Sequence, residues 1–354
     1  MGRRAVASWA SGRSLICPDC PGITFLTADV YHSEPDEAHV PCAHCGSSIH
    51  FGPAVMAPRN PCDPALDGQS LYSFAWFHVS AIPDWPRDAH PLPPSAVEFL
   101  TGTLSPAALL AARRIHENQA LHLGTYEAAI ETMLRRMHDQ DDGGTLFYLY
   151  RVGLHPSGLT IEPSWRDENS EEISQITQDD LGEFNIVRYL NVRESPGSIS
   201  LGVRLGAIRA VQRVLLPVRA VKVSKASPLV RRIADIRARI DQIEAMRPED
   251  DLDATGRILR KRAEREGVPF VRSPTSEQYE LLDRISQLIA DEHLPGVSLA
   301  VREAFTSAVD AWASDQDTPP DDVAYIGRFA SMARLLTHPE EVIQSLRDQP
   351  VRNL

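Results

Sequence analysis

The chain predicts an α+β protein in three parts: a zinc ribbon over residues 1–60, a mixed or antiparallel split-sheet domain over 61–223, and a small helical bundle over 224–354. Three observations predict this. Two Cys-x-x-Cys pairs stand near the N-terminus, β-branched and aromatic runs fill the middle, and beyond Ser224 apolar residues recur at helical spacing. At 354 residues the chain is long enough for two or three domains, and 43% apolar with 24% charged residues is the composition of a folded globular protein. No run of about 18 apolar residues occurs, so no membrane span is expected. The opening MGRRAVASWASGRSLICPDC lacks the apolar stretch of a signal peptide, and the cytoplasm is the expected compartment. A net charge of −12 disfavours non-specific wrapping of nucleic acid, which needs a surplus of Lys and Arg.

Cys17 and Cys20 form the first pair and Cys42 and Cys45 the second, with 21 residues between them. A two-residue gap lets two thiolates on one tight turn reach the same ion, and two such turns complete a tetrahedral sulfur shell around zinc. Gly46 supplies the freedom a backbone needs to bend round a metal. Four protein ligands leave no position for water, so the zinc is expected to be structural. Disulfides would require an oxidising compartment. His44 and His50 lie near enough to replace a thiolate, but with four cysteines present they are expected to be bystanders, and Cys62 is left as a lone thiol. A ribbon of this kind serves as a platform for nucleic acid or a partner, although the acidic run at residues 33–39 disfavours a phosphate-binding face.

Residues 57–67, rich in Pro, Asn and Asp, read as a linker, and Leu71 to Ile82 as a buried strand containing His78. After a Pro-rich loop, Ser105 and Pro106 open a helix. A strand through Leu121 follows, and Thr125 caps a second helix whose apolar face is Ala129, Ile130, Met133, Leu134 and Met137. Glu131 and Arg135 are spaced to pair on its other side, and the unit places His122 at the mouth of the sheet. Phe147 to Leu154 reads as a strand, and residues 155–180 as a long polar loop of the kind that carries function. Strands through 186–194, 198–208 and 211–223 come next, with Glu194 just before a Pro-Gly turn. Strand, helix, strand, helix and then grouped strands describe a mixed or antiparallel sheet rather than a doubly wound one.

Ser227 and Pro228 cap the first bundle helix, and Leu229, Ile233, Ile236, Ile240 and Ile243 form a heptad seam. Amphipathic helices are expected over 277–291, 298–314, 321–336 and 339–347. The arginine clusters around Arg231 to Arg239 and Arg257 to Arg265 are interleaved with acids and read as solvated faces.

The order of WFHVS, LHLGTYEAAIE, FYLYRV and YLNVRESPGSISL, from about Leu71 to Val223, resembles the NAD-dependent ADP-ribosyltransferase fold of bacterial toxins and related enzymes. The resemblance implies NAD as substrate and transfer of ADP-ribose to a protein, nucleic acid or small molecule, in a toxin or defence role. It implies His78 as the histidine that holds the NAD ribose, with His122 as the alternative, and Glu194 as the acid at the bond being broken. Asn191 would belong to the same NAD-contacting set, and Tyr126 or Tyr150 would lie against nicotinamide. Val192 stands where two-glutamate members carry their first acid, which disfavours arginine as the acceptor. The chemistry suits these residue types, because breaking the nicotinamide-ribose bond builds positive charge on the sugar and a fixed carboxylate stabilises it. A second class of function is a non-catalytic zinc-ribbon module that recognises a protein or nucleic acid, its transferase-like domain inert.

Overall fold

A computed structural model of the chain describes residues 9, 12–28, 30, 39–50, 56–87, 94–139, 145–167, 176–248, 252, 254–267, 270, 272–316 and 320–354. The N-terminal part is built from short strands. β1 (Arg13–Ile16) lies antiparallel between β2 (Ile23–Leu26) and β5 (Met56–Ala57), while β3 (His39–Pro41) and β4 (Ser48–His50) form a separate hairpin. Each hairpin turn carries one cysteine pair.

The expected linker is more ordered than its composition suggests. Asp63 and Asp67 accept hydrogen bonds from the N–H groups of Ala65 and Gln69, and so cap two 3-10 turns, Pro64–Leu66 and Gly68–Ser73. Leu71 therefore lies in a turn and not in the strand read from Leu71 to Ile82. Its carbonyl accepts the indole N–H of Trp76 at 2.9 Å, and β6 (Trp76–Ser80) begins only there.

Two four-stranded sheets follow. In the first, β13 (Arg352–Asn353), β12 (Ile208–Leu215), β8 (Tyr148–Leu154) and β6 are antiparallel in that order. In the second the order is β7 (Leu121–Leu123), β11 (Ile199–Val203), β10 (Ile186–Leu190) and β9 (Ile161–Asp167), with β9 parallel to β10. A pairing of Phe77 with Gly124, through two backbone hydrogen bonds of 2.9 Å, joins the sheets at β6 and β7. The β9 segment was expected to be loop. It pairs on one side only, and an edge strand tolerates Pro163 and the charged residues that hid it.

The helices are α1 (Pro94–Thr103), α2 (Pro106–Glu117), α3 (Tyr126–Asp139), α4 (Pro228–Met246), α5 (Ala254–Glu266), α6 (Ser276–His293), α7 (Leu299–Ser314), α8 (Asp322–Thr337) and α9 (Pro339–Arg347). Their starts follow local chemistry. Ser227 caps α4 through Val230 N–H, Asp321 caps α8 through Ala324 N–H, and Thr275 with Gln278 closes a capping box on α6. The arginine faces of α4 and α5 meet acids at the surface, as Arg237 does with Asp322 at 2.6 Å and Arg262 with Glu266 at 2.8 Å. No helix of the described residues is long and apolar enough to cross a membrane.

The molecule is α+β, but its three parts do not keep three cores. Leu15, Leu26, Ile49 and Met56 of the ribbon share one apolar cluster with Trp76, Trp85, Tyr150 and Leu201 of the sheets. Phe77, Ile130 and Met133 share another with Phe305, Phe329 and Leu336 of the bundle. Most of the ribbon thus shares a core with the sheets, and the bundle shares one with β6, α3 and Trp9.

Candidate active-site cleft and cysteine cluster

The β1–β2 and β3–β4 turns bring Cys17, Cys20, Cys42 and Cys45 together, with all four sulfurs within 4.8 Å of one another. Cys17 Sγ lies 3.6 Å from Cys45 Sγ, and Cys20 Sγ 3.7 Å from Cys42 Sγ. A tetrahedral shell with metal–sulfur bonds of about 2.3 Å would space its sulfurs by roughly 3.8 Å. The backbone N–H groups of Asp19, Gly22 and His44 each donate to a cysteine sulfur at 3.4 Å, which favours thiolates. This cluster could hold a metal such as zinc. His44 instead donates its Nε2–H to the Ile23 carbonyl, the ring of His50 lies against that of His39, and Cys62 is exposed away from the cluster.

The second site forms where α3 meets the turn between β10 and β11. Asn191 is its template. Its Oδ1 accepts the N–H groups of Arg193 at 3.2 Å and Glu194 at 2.9 Å, its Nδ2 donates to Ser200 Oγ, and its carbonyl accepts Gly197 N–H at 2.8 Å. Ser195 is held at a left-handed φ of 51°, a conformation that costs energy for any residue with a Cβ. Its N–H donates to Glu131 Oε2 at 2.6 Å, which helps hold that conformation. Gly197, at φ 78°, accepts the backbone N–H of Arg59 at 2.8 Å, and a Cβ added there would come within 2.8 Å of the same nitrogen.

Glu131 and Arg135 were expected to pair with each other on the solvent side of α3. They do not, because the turn covers that side: Glu131 meets Ser195, and Arg135 Nε donates to Glu194 Oε1 at 2.7 Å. Glu194 itself is only 9% exposed. It faces a cavity of about 270 Å³ walled by Trp9, Arg13 and Ala28 of the ribbon, Arg59, the charged face of α3, the turn, and Ala300, Val301 and Ala304 of α7. Burial pushes the Glu131 carboxyl up to about 7; the charges of Glu194 and Glu127 add to the rise, while Ser195 N–H and Arg59 oppose it.

The histidines and tyrosines singled out by resemblance lie elsewhere. Neither His78 nor His122 lines the cavity. His78 stacks on Trp85 with ring centroids 4.0 Å apart and donates Nδ1–H to the His122 carbonyl at 2.8 Å. His122 Nδ1 meets Tyr189 Oη at 3.0 Å, its enclosed Nε2 has no hydrogen-bond partner among the described residues, and burial lowers its pKa to about 4, so the ring is neutral. The hydroxyl of Tyr126 donates to the Leu335 carbonyl inside the core, and that of Tyr150 to the Ile82 carbonyl. Asn191 shapes the turn, and Val192 is buried among apolar side chains.

Glu131, Arg59, Arg13 and Trp9 were not foreseen as site residues. The available signal was the charged stripe Glu127, Glu131, Arg135 and His138, which steps by 4, 4 and 3 along one face of α3. A stripe of that kind has the same pattern whether water or a cleft faces it. No family model matches the chain, and the comparisons with curated proteins and solved structures found no match.

Proposed function

We propose that the chain is a mono-ADP-ribosyltransferase that binds NAD in the Glu194 cleft and transfers ADP-ribose to an acceptor. The observation that carries this reading is the Glu194 carboxylate, nine-tenths buried and turned to a cavity whose walls include Arg13, Arg59 and Arg193. As the nicotinamide-ribose bond breaks, positive charge grows on the sugar. A carboxylate already held by Arg135, on a backbone that Asn191 fixes, stabilises that charge without having to reorganise. The arginines suit the pyrophosphate. The cavity volume, about 270 Å³, is near the lower edge of the roughly 300–1,000 Å³ usual for ligand sites and suits the nicotinamide-ribose end of the dinucleotide. In the same reading the four cysteines hold one structural zinc ion, and the ribbon acts as a wall of the cleft.

Incubating the purified protein with NAD and measuring released nicotinamide tests the proposal. Glu194→Gln should lower release by at least about 100-fold while leaving the fold intact. A wild-type protein that neither releases nicotinamide nor is stabilised by NAD refutes it.

One observation favours the non-catalytic module instead: both candidate tyrosines use their hydroxyls within the core and leave the cleft without either ring. Thermal melting separates the two readings, since a ligand that binds the folded state raises its apparent stability by mass action. A rise at millimolar NAD supports the enzyme.

A further inference from the structure

The proposed function leaves Glu131 unused. Its Oε2 is anchored by Ser195 N–H at 2.6 Å, it comes from a different element than Glu194, and both acids line the same cavity. Resting on the ADP-ribosyl reading, we propose that Glu131 is the general base that takes the acceptor's proton. In this step the acceptor's oxygen or nitrogen forms a bond to the anomeric carbon of the ribose. The carbon–nitrogen bond to nicotinamide breaks, and its electron pair leaves on the pyridine nitrogen, which becomes neutral. The proton of the acceptor's O–H or N–H passes to the Glu131 carboxylate and from there to solvent. Charge and atoms balance, because the positive charge of the nicotinamidium reappears as that released proton.

Two acids in one cleft can divide the work when their surroundings differ, and here they do. Glu194 is ion-paired with Arg135. Glu131 shares the cavity with Glu127, Arg135 and His138 of its own helix, Arg193 and Glu194 of the turn, Arg13 of β1, and Arg59, while the part of α7 that lines the cavity adds no charge. With burial as the largest cause, its carboxyl is pushed up to about 7, where a base is ionised often enough to act and basic enough to accept a proton. The division also offers a structural answer to Val192. The second acid absent two residues upstream of Glu194 is supplied by α3.

The test uses the full chain with NAD, water serving as acceptor and nicotinamide release as the readout. Glutamine at 131 keeps an oxygen for Ser195 N–H, so the turn should survive. Glu131→Gln should retain the NAD-dependent melting shift, lose about 100-fold or more in turnover, and lose the rise in rate that the wild type shows as pH passes through about 7. Glu131→Ala should regain activity with added formate, which a merely structural role would not allow. Wild-type turnover and an unchanged pH profile in Glu131→Gln, or no formate rescue in a folded Glu131→Ala, overturn the role of Glu131 alone. Absence of nicotinamide release by the wild type removes the ADP-ribosyl reading and this role with it.

Discussion

Two clusters of titratable side chains flank the start of α3, and they differ in what satisfies them. Around His78, His122 and Tyr150, the polar groups other than the enclosed Nε2 of His122 meet one another, backbone carbonyls or Tyr189, and the rings lie against Trp85 or Tyr189. Around Glu194, charged side chains from the ribbon, the linker, α3 and the turn converge on open space. Residue types alone would nominate both clusters. What separates the two clusters is whether their groups face open space, and that is decided by contacts distant in sequence.

The comparison breaks most completely at the ribbon, which belongs to both sides. Its apolar residues pack with Trp85 and Tyr150, while its Trp9 and Arg13 wall the cleft. If the cysteines hold zinc as proposed, Cys42→Ser or chelation should lower the melting temperature by on the order of 10 °C and abolish stabilisation by NAD, because a segment this small that binds a metal depends on it to fold. A full melting temperature with an intact NAD shift would show that the four cysteines have been misread. Next in size is Gly197→Ala. The left-handed φ and the crowding against Arg59 together should cost about 2 kcal/mol in denaturant unfolding and weaken NAD binding by displacing Arg59.

His122→Leu sharpens the contrast from the other side. Removing one partner of the Tyr189 hydroxyl should cost about 1 kcal/mol of stability, yet change nicotinamide release less than tenfold if the cleft holds the substrate with its own residues. A further readout is a pH slope. Folded Glu131 keeps its proton where the unfolded chain has lost it, so the stability it contributes below about 4.5 should disappear as pH rises to about 7. Melting curves across that window should show a decline in the wild type that Glu131→Gln lacks.

Much of the architecture could be read directly from local chemistry. The Ser227, Asp321 and Thr275 caps, the apolar spacing from Leu229 to Ile243 and the paired cysteines are each settled within a few residues. The bend at Glu194 was readable for the same reason, since the Pro-Gly pair beside it declares a turn. Edge strands β9 and β13 were hidden because pairing on one side leaves little hydrophobic alternation. The walls of the cleft were hidden by distance. Glu131 meets Ser195 across 64 residues, and no periodicity within α3 can signal a turn so far along the chain.

That dispersal has a consequence for how the protein is made. The cleft draws its walls from Trp9 at one extreme and Ala304 at the other, so no product of synthesis that stops short of Ala304 contains it whole. At roughly 5–20 residues per second, a ribosome that has just finished Glu194 needs on the order of ten seconds more before the α7 wall exists. An activity that consumes NAD would thus be withheld from the nascent chain by topology alone, with no inhibitor and no cleavage step, and released only when the helices close over the turn.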